Sequence, residues 1–89
     1  MKAVITVIGK DRVGIIAGVS ALLADNGVNI LDITQTTMQE IFTMVMLTDI
    51  SGISIKFTEL VDKLAKLGEE MGLEIRCRHE DIFNSMHKI

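Results

Sequence analysis

The sequence predicts an α+β fold, an antiparallel sheet with helices packed on one of its faces. Three observations carry that expectation. Apolar residues alternate with a period of two in four stretches and recur at helical spacing in two longer ones. The stretches follow the order strand, helix, strand, strand, helix, strand, with a short helical tail. Glycines and small polar residues punctuate them, and no linker-like segment interrupts the 89 residues, so the chain reads as one domain.

Each element has its own justification. "AVITVIG", from Ala3 to Gly9, is a β-branched run ended by glycine. Both of its faces are apolar, Ala3, Ile5 and Val7 on one and Val4 and Ile8 on the other, so it belongs in the middle of a sheet. Ile15, Ile16, Val19, Leu22 and Leu23 then form one helical stripe, with Asp11 placed to cap its start and Gly27 to end it. The small residues Ala17, Gly18, Ala21 and Ala24 allow another element to come close. "VNILDITQTTM" alternates again and grows more polar toward Thr37, as a strand does when it projects beyond the core. "IFTMVMLTDI" follows almost at once, giving a hairpin that turns near Gln39 and Glu40; no Asn-Gly marks the turn, so the register stays open. Phe57, Leu60, Val61, Leu64, Leu67 and Met71 line a second helix with Gly72 as its stop, and its wet face carries Glu59–Lys63 and Asp62–Lys66 at the i, i+4 spacing. "LEIRCRH" sets Leu73, Ile75 and Cys77 against Glu74, Arg76 and Arg78, a strand with one wet face. Residues 80–89 form a helical extension with Ile82, Phe83 and Met86 on one side.

Right-handed, un-knotted connections arrange this order as a ferredoxin-like βαββαβ sheet, with the second and fourth strands outermost. The face without helices is too apolar to stay in water, so the tail or a second subunit is expected to cover it.

Composition removes several function classes. The chain is 48% hydrophobic with a mean hydropathy of +0.40, more than so small a monomer needs, which points to a homo-oligomer. A net charge of −3 and the lack of Trp and Tyr argue against nucleic acid as a direct partner. The apolar runs are too short to span a bilayer, no signal-peptide pattern opens the chain, and one cysteine excludes an internal disulfide framework, so a cytoplasmic location is expected. Cys77 reads as a buried thiol. His79 and His87 lack ligand spacing, so neither a metal nor a cofactor is expected. Met44 and Met46 share a face with Phe42 and read as core.

The fold hosts many functions, so each must be argued from residues. An RNA-recognition module needs aromatics on the central strands, and only Phe42 is present there. An acylphosphatase-like enzyme needs an arginine after the first strand and an asparagine elsewhere; Arg12 and Asn29 supply those types, but the phosphate loop of that family is missing. The remaining candidate is "GKDRVG", residues 9–14. With Asp11 as cap, the amides of Arg12, Val13 and Gly14 would be unpartnered donors at a helix N-terminus, a place for a carboxylate. The alternative is that the glycines only shape a turn and the charges are solvated.

"GKDRVGIIAGVSALLADNGVNILDI" resembles the signature of the ACT domain, and the likeness to stand-alone bacterial and archaeal ACT-domain proteins, relatives of glycine cleavage regulators, extends over residues 1–89. Val13 stands where that pattern has proline. The resemblance implies a non-catalytic sensor that binds an amino-acid-like molecule at a homodimer interface and acts on a regulated enzyme or transcription factor. It further implies that Gly9, Lys10, Asp11, Arg12, Val13 and Gly14 of one protomer face Asn29 and Ile30 of another. The amides would take the carboxylate, Asp11 the ammonium, and the Asn29 amide would both donate and accept. A structural interaction module that lacks a ligand is the alternative from another class.

Overall fold

A computed structural model describes residues 1–81, and the expected tail residues Ile82, Phe83, Met86 and His87 lie outside the described residues. In chain order the elements are β1 (Lys2–Lys10), α1 (Ile15–Asp25), β2 (Asn29–Met38), β3 (Ile41–Asp49), α2 (Phe57–Met71) and β4 (Leu73–His79). The sheet order is β2-β3-β1-β4 and every pairing is antiparallel, the ferredoxin-like arrangement with β2 and β4 outermost.

The period-two pattern sorts each strand between the two faces. Ala3, Ile5 and Val7 of β1 are fully buried, with Phe42, Met44, Met46 and Thr48 of β3 on one side and Leu73, Ile75 and Cys77 of β4 on the other. Helix α2 closes this layer with Leu60 and Leu64, and α1 closes it with Ile15, Val19 and Leu23. Burying one such leucine or isoleucine contributes about 1.5–3 kcal/mol, so the layer dominates stability. The polar groups drawn into it are satisfied: the Thr48 hydroxyl donates to the Ala3 carbonyl at 2.9 Å, and the Asn26 amide to the Leu22 carbonyl at 2.8 Å. Ile16 is exposed and Leu22 half-buried, so the buried stripe of α1 is narrower than the sequence implies. Neither Glu59–Lys63 nor Asp62–Lys66 closes to an ion pair among the described residues, in keeping with how little such solvated pairs contribute.

Helix α1 ends in a Schellman turn. The Gly27 N–H donates to Ala24 and the Val28 N–H to Leu23, with Gly27 at φ 76 and the side chains of Val28 and Leu23 both buried. The hairpin turns at Gln39 and Glu40, closed by the pair Met38 and Ile41, and Gln39 takes φ 55. Helix α1 begins differently from the expectation. Its N-cap is Gly14 at φ 91, with no side chain capping the first turn.

These two glycines separate backbone strain from steric conflict. A Cβ at Gly14 would meet nothing within 4 Å, whereas one at Gly27 would lie 2.4 Å from the Gly52 carbonyl oxygen. Gly14→Ala is therefore expected to cost about 1–2 kcal/mol, the left-handed penalty alone. Gly27→Ala adds a displaced backbone and is expected to cost at least about 3 kcal/mol. Urea unfolding of both variants checks the order; equal midpoints would refute it.

Candidate functional site

The chain between β1 and α1 is held from two directions. The Asp11 N–H donates to the Glu40 carbonyl at 2.8 Å, tying the loop to the β2–β3 turn. Arg12 Nη1 donates to the Met71 carbonyl at 3.3 Å, placing a cation at the negative end of α2. Asp11 thus does not cap α1, and its carboxylate is exposed. The unpartnered donors move one step along the chain: the amides of Ile15, Ile16 and Ala17 open the helix, and the Gly14 carbonyl already accepts the Gly18 N–H at 2.9 Å. Val13 precedes the helix and is 96% exposed, so the absence of proline there leaves the first turn intact.

Two clefts flank the loop, and both use Asp11 and Arg12. One, of about 340 Å³, runs from Gly14 and the first helical residues to Gln35, Thr37 and Phe42. The other, of about 570 Å³, adds Lys10 and Val13 and reaches Met71 and Gly72 at the end of α2. In the first cleft, helix amides form one wall and the polar ends of Gln35 and Thr37 the other, a donor-rich slot suited to a small anionic group. Gln35 and Thr37 escape sequence reasoning because the hairpin has no turn motif to set its register. Once Thr37 is paired with Phe42, and Phe42 with Gly9, both must lie beside the loop.

Asn29 and Ile30 are not brought to the loop within one chain. Asn29 pairs with Asp49, and Asp49 with Lys2, at the end of the sheet opposite Gly9 and Lys10. From Lys2 to Gly9 the strand rises about 23 Å at roughly 3.3 Å per residue. Asn29 is exposed there and Ile30 half-buried against the core. The eight residues therefore form two half-sites at opposite ends of the protomer.

The family model described as an ACT domain matches residues 2–78. The chain belongs to the ACT-domain family. A UPF0237 protein of Clostridium acetobutylicum is 55% identical over 89 residues, covering 100% of both chains. Among solved structures, an ACT domain protein from Streptococcus pneumoniae matches with a TM-score of 0.81 and 42% identity over 93% of each chain. A protein assigned as a glycine cleavage system transcriptional repressor matches with a TM-score of 0.70 and 30% identity, over 86% of this chain and 44% of that one.

Other candidate groups of this ACT domain have structural roles. His79 stacks on Phe57, ring centroids 4.1 Å apart and planes 20° from parallel, joining the end of β4 to the start of α2. Among the described residues, no three His, Cys, Asp or Glu side chains gather where a metal ion could be held. No helix among them is long and apolar enough to cross a membrane. Cys77 lies in the core, and desolvation raises its thiol to about 11.

Because the folded thiol titrates above its ordinary value of 9.0, the folded state keeps its proton longer than the unfolded chain. The stability this contributes is present below pH 9 and is lost as pH rises toward 11. Urea unfolding at closely spaced pH values is expected to show the decline in the native ACT domain and a flatter profile in Cys77→Ala. In native protein the thiol should also resist a water-soluble disulfide reagent until denaturant is added.

Proposed function

We propose that this chain is a non-catalytic regulatory domain that binds an amino-acid-like molecule between two of its copies. The observation that carries the reading is the separation of the half-sites: an open helix tip at one end of the protomer, and the exposed Asn29 at the other. Amides of Ile15, Ile16 and Ala17 receive the carboxylate, with Asp11 exposed beside them for an ammonium. The Asn29 and Ile30 segment of a second copy completes the site, because neither half alone surrounds a ligand. Lys10 and Arg12 add positive potential on the same loop, although Arg12 is partly engaged by the Met71 carbonyl.

Regulation is the reading that the family membership favours, and the 30% identity to an assigned transcriptional repressor supports it. Acylphosphatase-like catalysis is less well served. Arg12 and Asn29, which that chemistry would place on one phosphate, stand at opposite ends of the sheet. Ligand binding shifts the assembly, or the activity of a partner enzyme or transcription factor, only as far as the ligand prefers the bridged state.

A thermal-shift screen of the twenty amino acids tests the reading. At about one hundred times Kd a true ligand contributes about 2.7 kcal/mol, which for a domain of this size raises Tm by roughly 10–20 °C. Gly14→Asp should abolish the shift by placing a carboxylate where the ligand's would lie, with Gly14→Ala as the control for backbone strain. Asn29→Ala should weaken it about tenfold by removing one hydrogen-bonding side chain. If no amino acid stabilises the protein, the domain is a structural module.

A further inference from the structure

We propose that the helix-free face of the sheet is a second homotypic interface, on which another copy packs with its strands aligned so that Asp32 meets the partner's Arg78. This inference stands on the strand register and does not rest on the ligand seam.

Alternation sends Ala3, Ile5 and Val7 toward the helices, so Val4, Thr6 and Ile8 point to the other side. That side is apolar at its centre and open: Ile8 is 45%, Ile41 51% and Val45 36% exposed. The register assembles one row across it. Asp32 pairs with Leu47, Leu47 with Val4, and Val4 with Arg78, giving acid, apolar, apolar, base from edge to edge. A β-bulge creates this row. Between Ile30 and Asp32 the register slips by one residue, and without the slip Leu31 would stand opposite Leu47 while Asp32 turned toward the helices. The bulge thus delivers a carboxylate to the edge of the free face.

A row with acid at one edge and base at the other is self-complementary. A two-fold axis running along the strands, between two stacked sheets, places β2 over the partner's β4 and leaves height along the strand unchanged. Asp32 then lies over the partner's Arg78, and by symmetry the pair forms twice, with Leu47 and Val4 facing each other between them. The other two-fold, across the strands, lays β2 on β2 and puts Arg78 over the partner's Glu74, a carboxylate that Arg76 already engages. It also leaves Asp32 opposite no cation. Within one chain Asp32 and Arg78 are three strand spacings apart, about 14 Å, too far to pair. Energetic coupling between them therefore reports contact between copies.

The test is sedimentation equilibrium of the full chain without added amino acid, with far-UV circular dichroism as a folding check. Asp32→Arg and Arg78→Asp are each expected to weaken self-association at least tenfold, and the charge-swapped double variant to return it to within about threefold of wild type. Val45→Lys, which alters neither charge, should weaken it as well, while Asn29→Ala should leave it unchanged. A monomeric wild type, a double variant as weak as the sum of the singles, or wild-type association in Val45→Lys would overturn the proposal. The last result is also what coverage of this face by the chain's own residues 82–89 would give.

Discussion

The central position of β1 is the constraint on which the rest of this molecule depends. It is hydrogen-bonded along one side to β3 and along the other to β4, so Ile5 sits between Met46 and Cys77, and Val7 between Met44 and Ile75. A nine-residue strand paired on both sides cannot slide by one position without turning three buried side chains toward solvent and three others inward. Its register therefore decides where everything else lies. The loop carrying Asp11 and Arg12 leaves at the end where β3 begins, and Asn29 is fixed at the other end through Asp49 and Lys2. The division of the candidate site between two protomers follows from pairing in the sheet, before any ligand is considered.

What the sequence made legible, and what it did not, divides along the same line. Period-two and period-3.6 patterns report burial within one element, and they place all six elements and the inner faces of β1, β3 and β4 correctly. The start of α1 is different. Asp11 is a reasonable cap by residue type, but its amide is drawn to the Glu40 carbonyl, a contact made by a hairpin 29 residues further on. The helix instead begins at a glycine with φ 91. Local chemistry offered two starts, and a long-range hydrogen bond chose between them. Gln35 and Thr37 were missed for a related reason, since only the hairpin register brings them beside the loop. Arg12 was readable as a cation in a loop but not as a cap on α2, which lies 59 residues away.

The sheet is one strand thick, and that thinness lets a small domain hold two kinds of interface. Adjacent residues of β1 serve opposite sides: Ile5 and Val7 anchor the layer that carries the helices and the ligand half-sites, while Val4, Thr6 and Ile8 form the centre of the free face. A two-fold axis along the strands keeps the 9–14 loop of both copies at the same end, away from each other's Asn29. Face-to-face packing therefore cannot complete the ligand site, and the ligand seam cannot cover the free face. The two contacts are geometrically independent, and a chain that uses both closes into a four-copy assembly.

Independence of geometry does not mean independence of energy. A ligand that joins one protomer's helix tip to another's Asn29 restrains the ends of β1 and β2, and the same two strands carry Val4 and Asp32 on the free face. Any difference in the twist of the sheet between open and bridged states would change how well the acid and base edges of two stacked sheets align. Because Asp32 owes its place to a bulge at the first residues of β2, immediately after Asn29, the segment expected to touch the ligand is the one that sets the charge row. Coupling through that bulge must be reciprocal: if binding tightens the stacked pair, stacking tightens binding by the same factor. A bulge can do this where a regular strand cannot, since its extra residue gives the backbone a second arrangement to move between without breaking the pairing on either side.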